Sequence, residues 1–268
     1  MRSVPNQFEP SIPAVARPQL EACFNFRDLG GHATADGRVV RHGLVFRSGS
    51  LHRMTESDRA EFRRLGVTTV VDLRRPDEVA RDPPPIGIAA VKHLPLEIDA
   101  PPGPLQAPSP PRTPEPAQAP EPPADHLGDE YLDMLLANPG RRAIAAAFWL
   151  IADPAQRVVV HCYAGKDRTG IVAALLLASL GVDDEAIVAD YTASDAAIEP
   201  SRRYAERHDV EWARLIDRLP PRVLHSHPDG IVSMLDGVRN KFGSVASYLH
   251  EIGATTTCLT QLEAKLLA

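Results

Sequence analysis

The sequence predicts one α/β domain with a central, mostly parallel sheet and helices on both faces. Three observations carry this. Val67 to Leu73 and Arg157 to His161 are short β-branched apolar runs, of the length of buried strands. Between them lie segments with helical start and stop signals. Alternation of the two is the chain order that connects a parallel sheet to helices.

Residues 1–20 read as a flexible arm, punctuated by Pro5, Pro10, Pro13 and Pro18, and residues 21–268 as the domain. Gly30-Gly31 and Asp36-Gly37 mark turns. Arg38 to Val40 and Leu44 to Arg47 read as strands parted by His42-Gly43. Thr55 is an N-cap, with Asp58 in a capping-box position, so a helix runs to Leu65 and ends at Gly66. The strand Val67 to Leu73 follows.

Residues 101–123 differ in kind. Eleven of these 23 positions are proline, and Leu105 is the one large apolar residue. Such a segment buries too little surface to offset its ordering entropy. It is read as a disordered or polyproline II insertion on the surface; a docking segment for an SH3-type partner is the alternative.

Order resumes near Leu127. Asn138 caps a helix with Pro139 at its first position, which Asp153-Pro154 ends. The strand to His161 precedes a helix from Thr169 to Leu180, closed by Gly181. Another helix spans Val182 to Tyr191. Residues 195–225 are charged and amphipathic, which fits an ordinary packed helix pair. Gly243-Ser244 opens a short helix, and Thr255 to Thr257 precede the last one.

Composition narrows the function. The net charge is −6, so no global positive field draws nucleic acid, and an anionic substrate needs a local cluster of donors. Cys23, Cys162 and Cys258 are far apart and odd in number, which argues against a disulfide framework or a zinc site. No metal and no cofactor is expected. No apolar run approaches the length of a membrane span, and the start of the chain lacks the apolar stretch of a secretory signal. The protein is expected to be cytoplasmic, or exported without a classical signal peptide.

The chemistry concentrates between the strand ending at His161 and the next helix. Cys162 and Arg168 are separated by five residues, enough for a loop to curl its amides around one phosphate at a helix N-terminus. The same amides lower the pKa of a cysteine and make Cys162 a nucleophile. Arg168 supplies a planar fork for two phosphate oxygens. Tyr163, Ala164, Gly165, Lys166, Thr169 and Gly170 complete the substrate-binding loop. The glycines permit tight or left-handed backbone, Thr169 donates to the sulfur, and His161 orients the loop through its ring N–H. A nucleotide P-loop is excluded by Val160 and Asp167, where that motif needs Gly and Ser or Thr.

The run His161-Cys162-Tyr163-Ala164-Gly165-Lys166-Asp167-Arg168-Thr169-Gly170 and the segment Phe24 to Gly31 together resemble the bacterial protein tyrosine phosphatase family with FRDLGG and HCxxGKDRTG signatures. Val45 to Gly49 and Val71 to Arg74 also fit its pattern. The resemblance implies a tyrosine phosphatase-like fold and hydrolysis of phosphate monoesters through a phosphocysteine on Cys162. It implies a phosphorylated protein substrate, phosphotyrosine with dual specificity in view, and a helical lid over the site at residues 195–225. Lys166 matches a lysine of related lipid phosphatases, which adds phosphoinositides. A silent phosphate-binding adaptor is the contrary reading; silent members lose the cysteine or the arginine, and both are present. The general acid stays open: no Trp-Pro-Asp sequence occurs, and the candidates are Asp167, Asp72 and the outsiders Asp99, Asp125 and Asp129. Ion pairs of Arg47 with Asp28 and of Arg74 with Asp72 are expected.

Overall fold

The computed structural model describes residues 20–97 and 126–268. Residues 1–19 of the proposed arm, the proline-rich insertion, Asp99 and Asp125 lie outside these residues.

The elements follow in chain order: β1 Arg27–Asp28, β2 Val45–Ser48, α1 Glu56–Arg64, β3 Thr69–Asp72, α2 Pro76–Arg81 and β4 Ala90–His93. Then come α3 His126–Leu136, α4 Asn138–Ala152, β5 Val158–His161, α5 Asp167–Ser179 and α6 Asp184–Thr192. A 3-10 turn, Ala193–Ala197, leads into α7 Ile198–His208, α8 Val210–Arg218 and α9 Pro221–Leu224. The chain closes with α10 Pro228–Phe242, α11 Val245–Glu251 and α12 Thr256–Leu266.

Local chemistry accounts for several boundaries. Asp58 N–H donates to the Thr55 hydroxyl, and Thr55 N–H donates to the Asp58 carboxylate, each at 3.1 Å, so the expected capping box starts α1. Asp183 and Ser244 cap α6 and α11 through side-chain oxygens. Proline opens α9 and α10, where its missing N–H costs nothing. Several boundaries differ from expectation: α5 begins at Asp167 rather than Thr169, and α6 at Asp184 rather than Val182. The N-cap of α4 is Ala137, and Asn138 is already helical. Residues 38–40 form only isolated bridges, Val39 to Ala33 and Val40 to Leu267. Arg41 N–H and Val39 N–H go to the carbonyls of Leu266 and Ala268, so this segment clasps the C-terminal residues and stays out of the sheet.

The sheet order is β1-β2-β5-β3-β4, with only β1 antiparallel to its neighbour. Side chains alternate between faces. Val45, Val71, Val158 and Val160 join a large core with α4, α5, α10 and α12, whereas Phe46, Val70 and Val159 pack with Phe62 and Leu65 against α1. β5 is the central strand. Its last residue, His161, pairs with Ser48 of β2 and Asp72 of β3. The following loop therefore emerges where three parallel strands end, the place where α/β sheets build their sites. Among the described residues no helix is long and apolar enough to cross a membrane.

Candidate active site

Cys162 is the first residue beyond β5 and is almost wholly buried. It lies in the wall of a cavity of about 330 Å³. Ser50, His52, Lys166, Asp167 and Arg168 share that cavity, and Trp212, Ile216 and Leu219 of the α8 region cover it. The loop turns into α5 without a side-chain cap, which leaves the first amides of a 13-residue helix for an anion. Gly165 has φ +72°, and a Cβ there would stand 2.4 Å from the Ser48 carbonyl oxygen. Gly170 is needed for a different reason than left-handed backbone: a Cβ would meet the Tyr191 ring at 2.8 Å.

Arg168 is held by a residue that the sequence did not single out. Its Nη1 and Nη2 donate to the two carboxylate oxygens of Glu78 at 2.6 and 2.9 Å. Nη1 also donates to the Leu73 carbonyl at 3.3 Å. That leaves Nε–H and one Nη2–H, side by side, as a fork for two phosphate oxygens. Burial pulls the Arg168 pKa down, but the Glu78 pair and the Cys162 charge overcome this and raise it. Burial pushes Glu78 up, yet Arg168 holds it below the usual carboxylate range. Glu78 is itself fixed by Arg75 N–H at 2.7 Å.

Asp72 and His161 sit behind the loop. Asp72 is closed to solvent, and Arg74 grips both its oxygens, Nε at 2.9 Å and Nη2 at 2.7 Å. Burial raises its pKa, but Arg74 and His161 outweigh that and lower it. A buried carboxylate so held is a poor proton donor, and it does not line the cavity. His161 donates from Nδ1 to the Cys162 carbonyl at 3.0 Å, as a loop-orienting ring should. Burial lowers the pKa of this imidazole, against the pull of Asp72.

Asp167 faces the cavity and accepts a hydrogen bond from Tyr131, whose hydroxyl is 2.9 Å from that of Tyr191. Asp129 is exposed on α3 and does not line the cavity. Lys166 is turned toward the covering helices: Nζ donates to the carbonyls of Val223 at 2.6 Å and His225 at 2.9 Å. Thr169 Oγ1 is buried without a hydrogen-bond partner among the described residues, so the expected bond to the Cys162 sulfur is not made in this conformation. Tyr163 points along the rim, stacked on His52 and under the Arg81 guanidinium. The Arg74–Asp72 pair forms as expected, whereas Arg47 pairs with Asp190 rather than Asp28. Asp28 instead accepts from the amides of Gly30 and Gly43. Among the described residues no group of three or more His, Cys, Asp or Glu could hold a metal.

The profile of the tyrosine phosphatase family matches residues 18–268. The chain belongs to the tyrosine phosphatase family. It is 32% identical over 278 residues to the triple specificity protein phosphatase PtpB of Mycobacterium tuberculosis, covering 93% of this chain and 98% of that protein. A putative tyrosine-protein phosphatase of Cupriavidus necator is 31% identical, over 97% of this chain and 93% of its own. The crystal structure of P. aeruginosa TpbA aligns with a TM-score of 0.32 at 22% identity, over 66% of this chain and 88% of that one. The expectation of a cysteine-based tyrosine phosphatase is borne out by family membership.

Proposed function

We propose that this chain hydrolyses phosphotyrosine by two in-line displacements at Cys162, with dual specificity within its range. The observation that carries the reading is Cys162 in the cavity wall, directly before the α5 N-terminus, with the free edge of Arg168 beside it. The thiolate attacks phosphorus, the P–O bond to the leaving group breaks, and the phosphoryl group rests on sulfur. Arg168 and the loop amides stabilise the oxygens that carry charge in the transition state. Asp167 protonates the leaving oxygen; in the second step it takes a proton from the water that cleaves the S–P bond. Tyr131 sets the Asp167 carboxyl, while Asp72, Arg74 and His161 hold the loop from behind. The helices α7 to α9 act as a lid that excludes water from the cavity.

The apolar cover, Trp212, Ile216 and Leu219, favours an aromatic ring next to the phosphate. Lys166 supplies a second cation once it leaves the Val223 and His225 carbonyls, which makes phosphoinositides the second substrate class to assay; the name of the mycobacterial relative motivates phosphoserine and phosphothreonine as well. The buried, unpaired thiol suits a reducing compartment.

The test is phosphate release from a phosphotyrosine peptide, with chelator and reductant present. Wild type should turn over and Cys162→Ser should not, while Asp167→Asn should lose about 10²-fold or more in kcat. Equal turnover by wild type and Cys162→Ser would refute the mechanism.

A further inference from the structure

The segment Phe24 to Gly31 has no place in the chemistry described so far, yet it lies against the back of the phosphate loop. Asn25 Nδ2 donates to the Ala164 carbonyl at 3.1 Å. Arg47, which is wholly buried, donates from Nη2 to the Gly165 carbonyl at 2.8 Å and the Lys166 carbonyl at 3.3 Å. Three consecutive loop carbonyls are thus held from outside by side chains. In a trans peptide the C=O of one residue and the N–H of the next point in opposite directions. Fixing the carbonyls of 164, 165 and 166 therefore turns the amides of Gly165, Lys166 and Asp167 away from those side chains.

Both donors are themselves fixed by Arg27. Its Nη1 donates to the Asn25 side-chain oxygen, its Nε to Asp190 Oδ1 at 2.8 Å and its Nη2 to the Asp190 carbonyl at 2.6 Å. The other Asp190 oxygen accepts from Arg47. Asp190 is buried between the two guanidiniums. Asn25 also carries the one positive φ of a non-glycine residue among the described residues, +60°. Such a backbone persists only where its surroundings hold it, and Gly49 N–H does so by donating to the Phe24 carbonyl at 2.8 Å.

We propose that Asn25 and Arg27 are positioning residues of the phosphatase reaction: Arg27 orients Asn25 directly and Arg47 through Asp190, and the two donors together aim the loop amides at the phosphoryl group and the Cys162 sulfur. The inference rests on the Cys162 reading above. It gives the Phe24 to Gly31 segment a chemical task in addition to a packing one.

The deciding variant is Asn25→Gly. Glycine adopts φ +60° without strain, so the backbone is kept while the donor is lost. Asn25→Asp keeps an acceptor for Arg27 but removes the N–H toward Ala164. Three readouts are taken: kcat and KM on p-nitrophenyl phosphate, tungstate affinity by calorimetry, and the pH profile of Cys162 alkylation by iodoacetamide. With the thermal midpoint within a few degrees of wild type, both variants should lose about tenfold or more in kcat with KM little changed, since misaimed oxyanion donors weaken transition-state stabilisation. Tungstate should bind more weakly, and alkylation should shift to higher pH. Wild-type tungstate affinity and a wild-type alkylation profile in Asn25→Gly would overturn the proposal. Should wild type hydrolyse no phosphoester, the hydrolase reading falls; weakened tungstate binding by Asn25→Gly would still sustain the positioning role.

Discussion

In the proposed mechanism Arg168 acts only if its fork faces the right way, and the Glu78 pair sets that direction. The bidentate pair occupies the end of the guanidinium and leaves the Nε edge for phosphate. A lysine at this position could not divide its donors in this manner. Replacing Glu78 with Gln removes the charge but keeps one acceptor. A charge-assisted hydrogen bond of this kind contributes about 2 kcal/mol. The Glu78→Gln variant should therefore lose roughly 30-fold in kcat/KM while remaining folded. Steady-state kinetics beside circular dichroism reads both. Undiminished kcat/KM would mean that the loop alone orients Arg168. Glu78 went unnoticed in the sequence because its partner is 90 residues away, and the pairing exists only once β3 lies beside β5.

Among the elements, the helices over the cavity are held on one side by Lys166, through the Val223 and His225 carbonyls, and on the other by Arg53 and Phe24. Arg53 donates to Asp209 at 2.6 Å, and its guanidinium lies 3.9 Å from the Trp212 ring centre. Phe24 packs on Tyr204 and Trp212. A partly exposed ion pair and one cation–π contact together contribute about 1 to 1.5 kcal/mol. Removing them with Arg53→Ala should raise the open population up to about tenfold. Iodoacetamide should then inactivate the variant several-fold faster than wild type, and large phosphopeptides should gain relative to p-nitrophenyl phosphate. Identical inactivation rates would show that α7 to α9 do not gate Cys162. The elements themselves were largely legible. The Thr55–Asp58 box and the strand runs Val67 to Leu73 and Arg157 to His161 are local signals, and each produced its element. Helix α2 was missed although Pro76, Asp77 and Glu78 form a helical first turn, because it spans only six residues. Arg47 was matched to the wrong aspartate for a spatial reason. Asp190 is 143 residues away, and only the packing of α6 beside the loop brings it there.

For the whole molecule, the buried charges behind the loop make stability depend on acid. Asp72, Glu78 and Asp190 each feel burial pushing their pKa up, and in each the arginine partners prevail and lower it. Their folded pKa values lie below the unfolded ones, so their contribution is complete above about pH 4 and is lost as pH falls further, through the folded values. His52 titrates earlier with the same sign. Burial lowers it to about 4, against the attraction of Asp82, whereas the unfolded histidine titrates near 6.5. The unfolded chain thus binds the proton first, and the His52 contribution is present above 6.5 and lost between 6.5 and about 4. The thermal midpoint should decline gently from pH 6.5 and steeply below about pH 4. His52→Gln keeps a partner for the Ser50 hydroxyl, 2.8 Å from the imidazole, and should flatten the upper part of the curve alone. Glu78→Gln should soften the lower part alone. A midpoint that stays level from pH 7 to pH 4 in wild type would show that His52 is hydrated rather than buried, and one that declines no faster below pH 4 would show the same of the arginine-held carboxylates behind the loop.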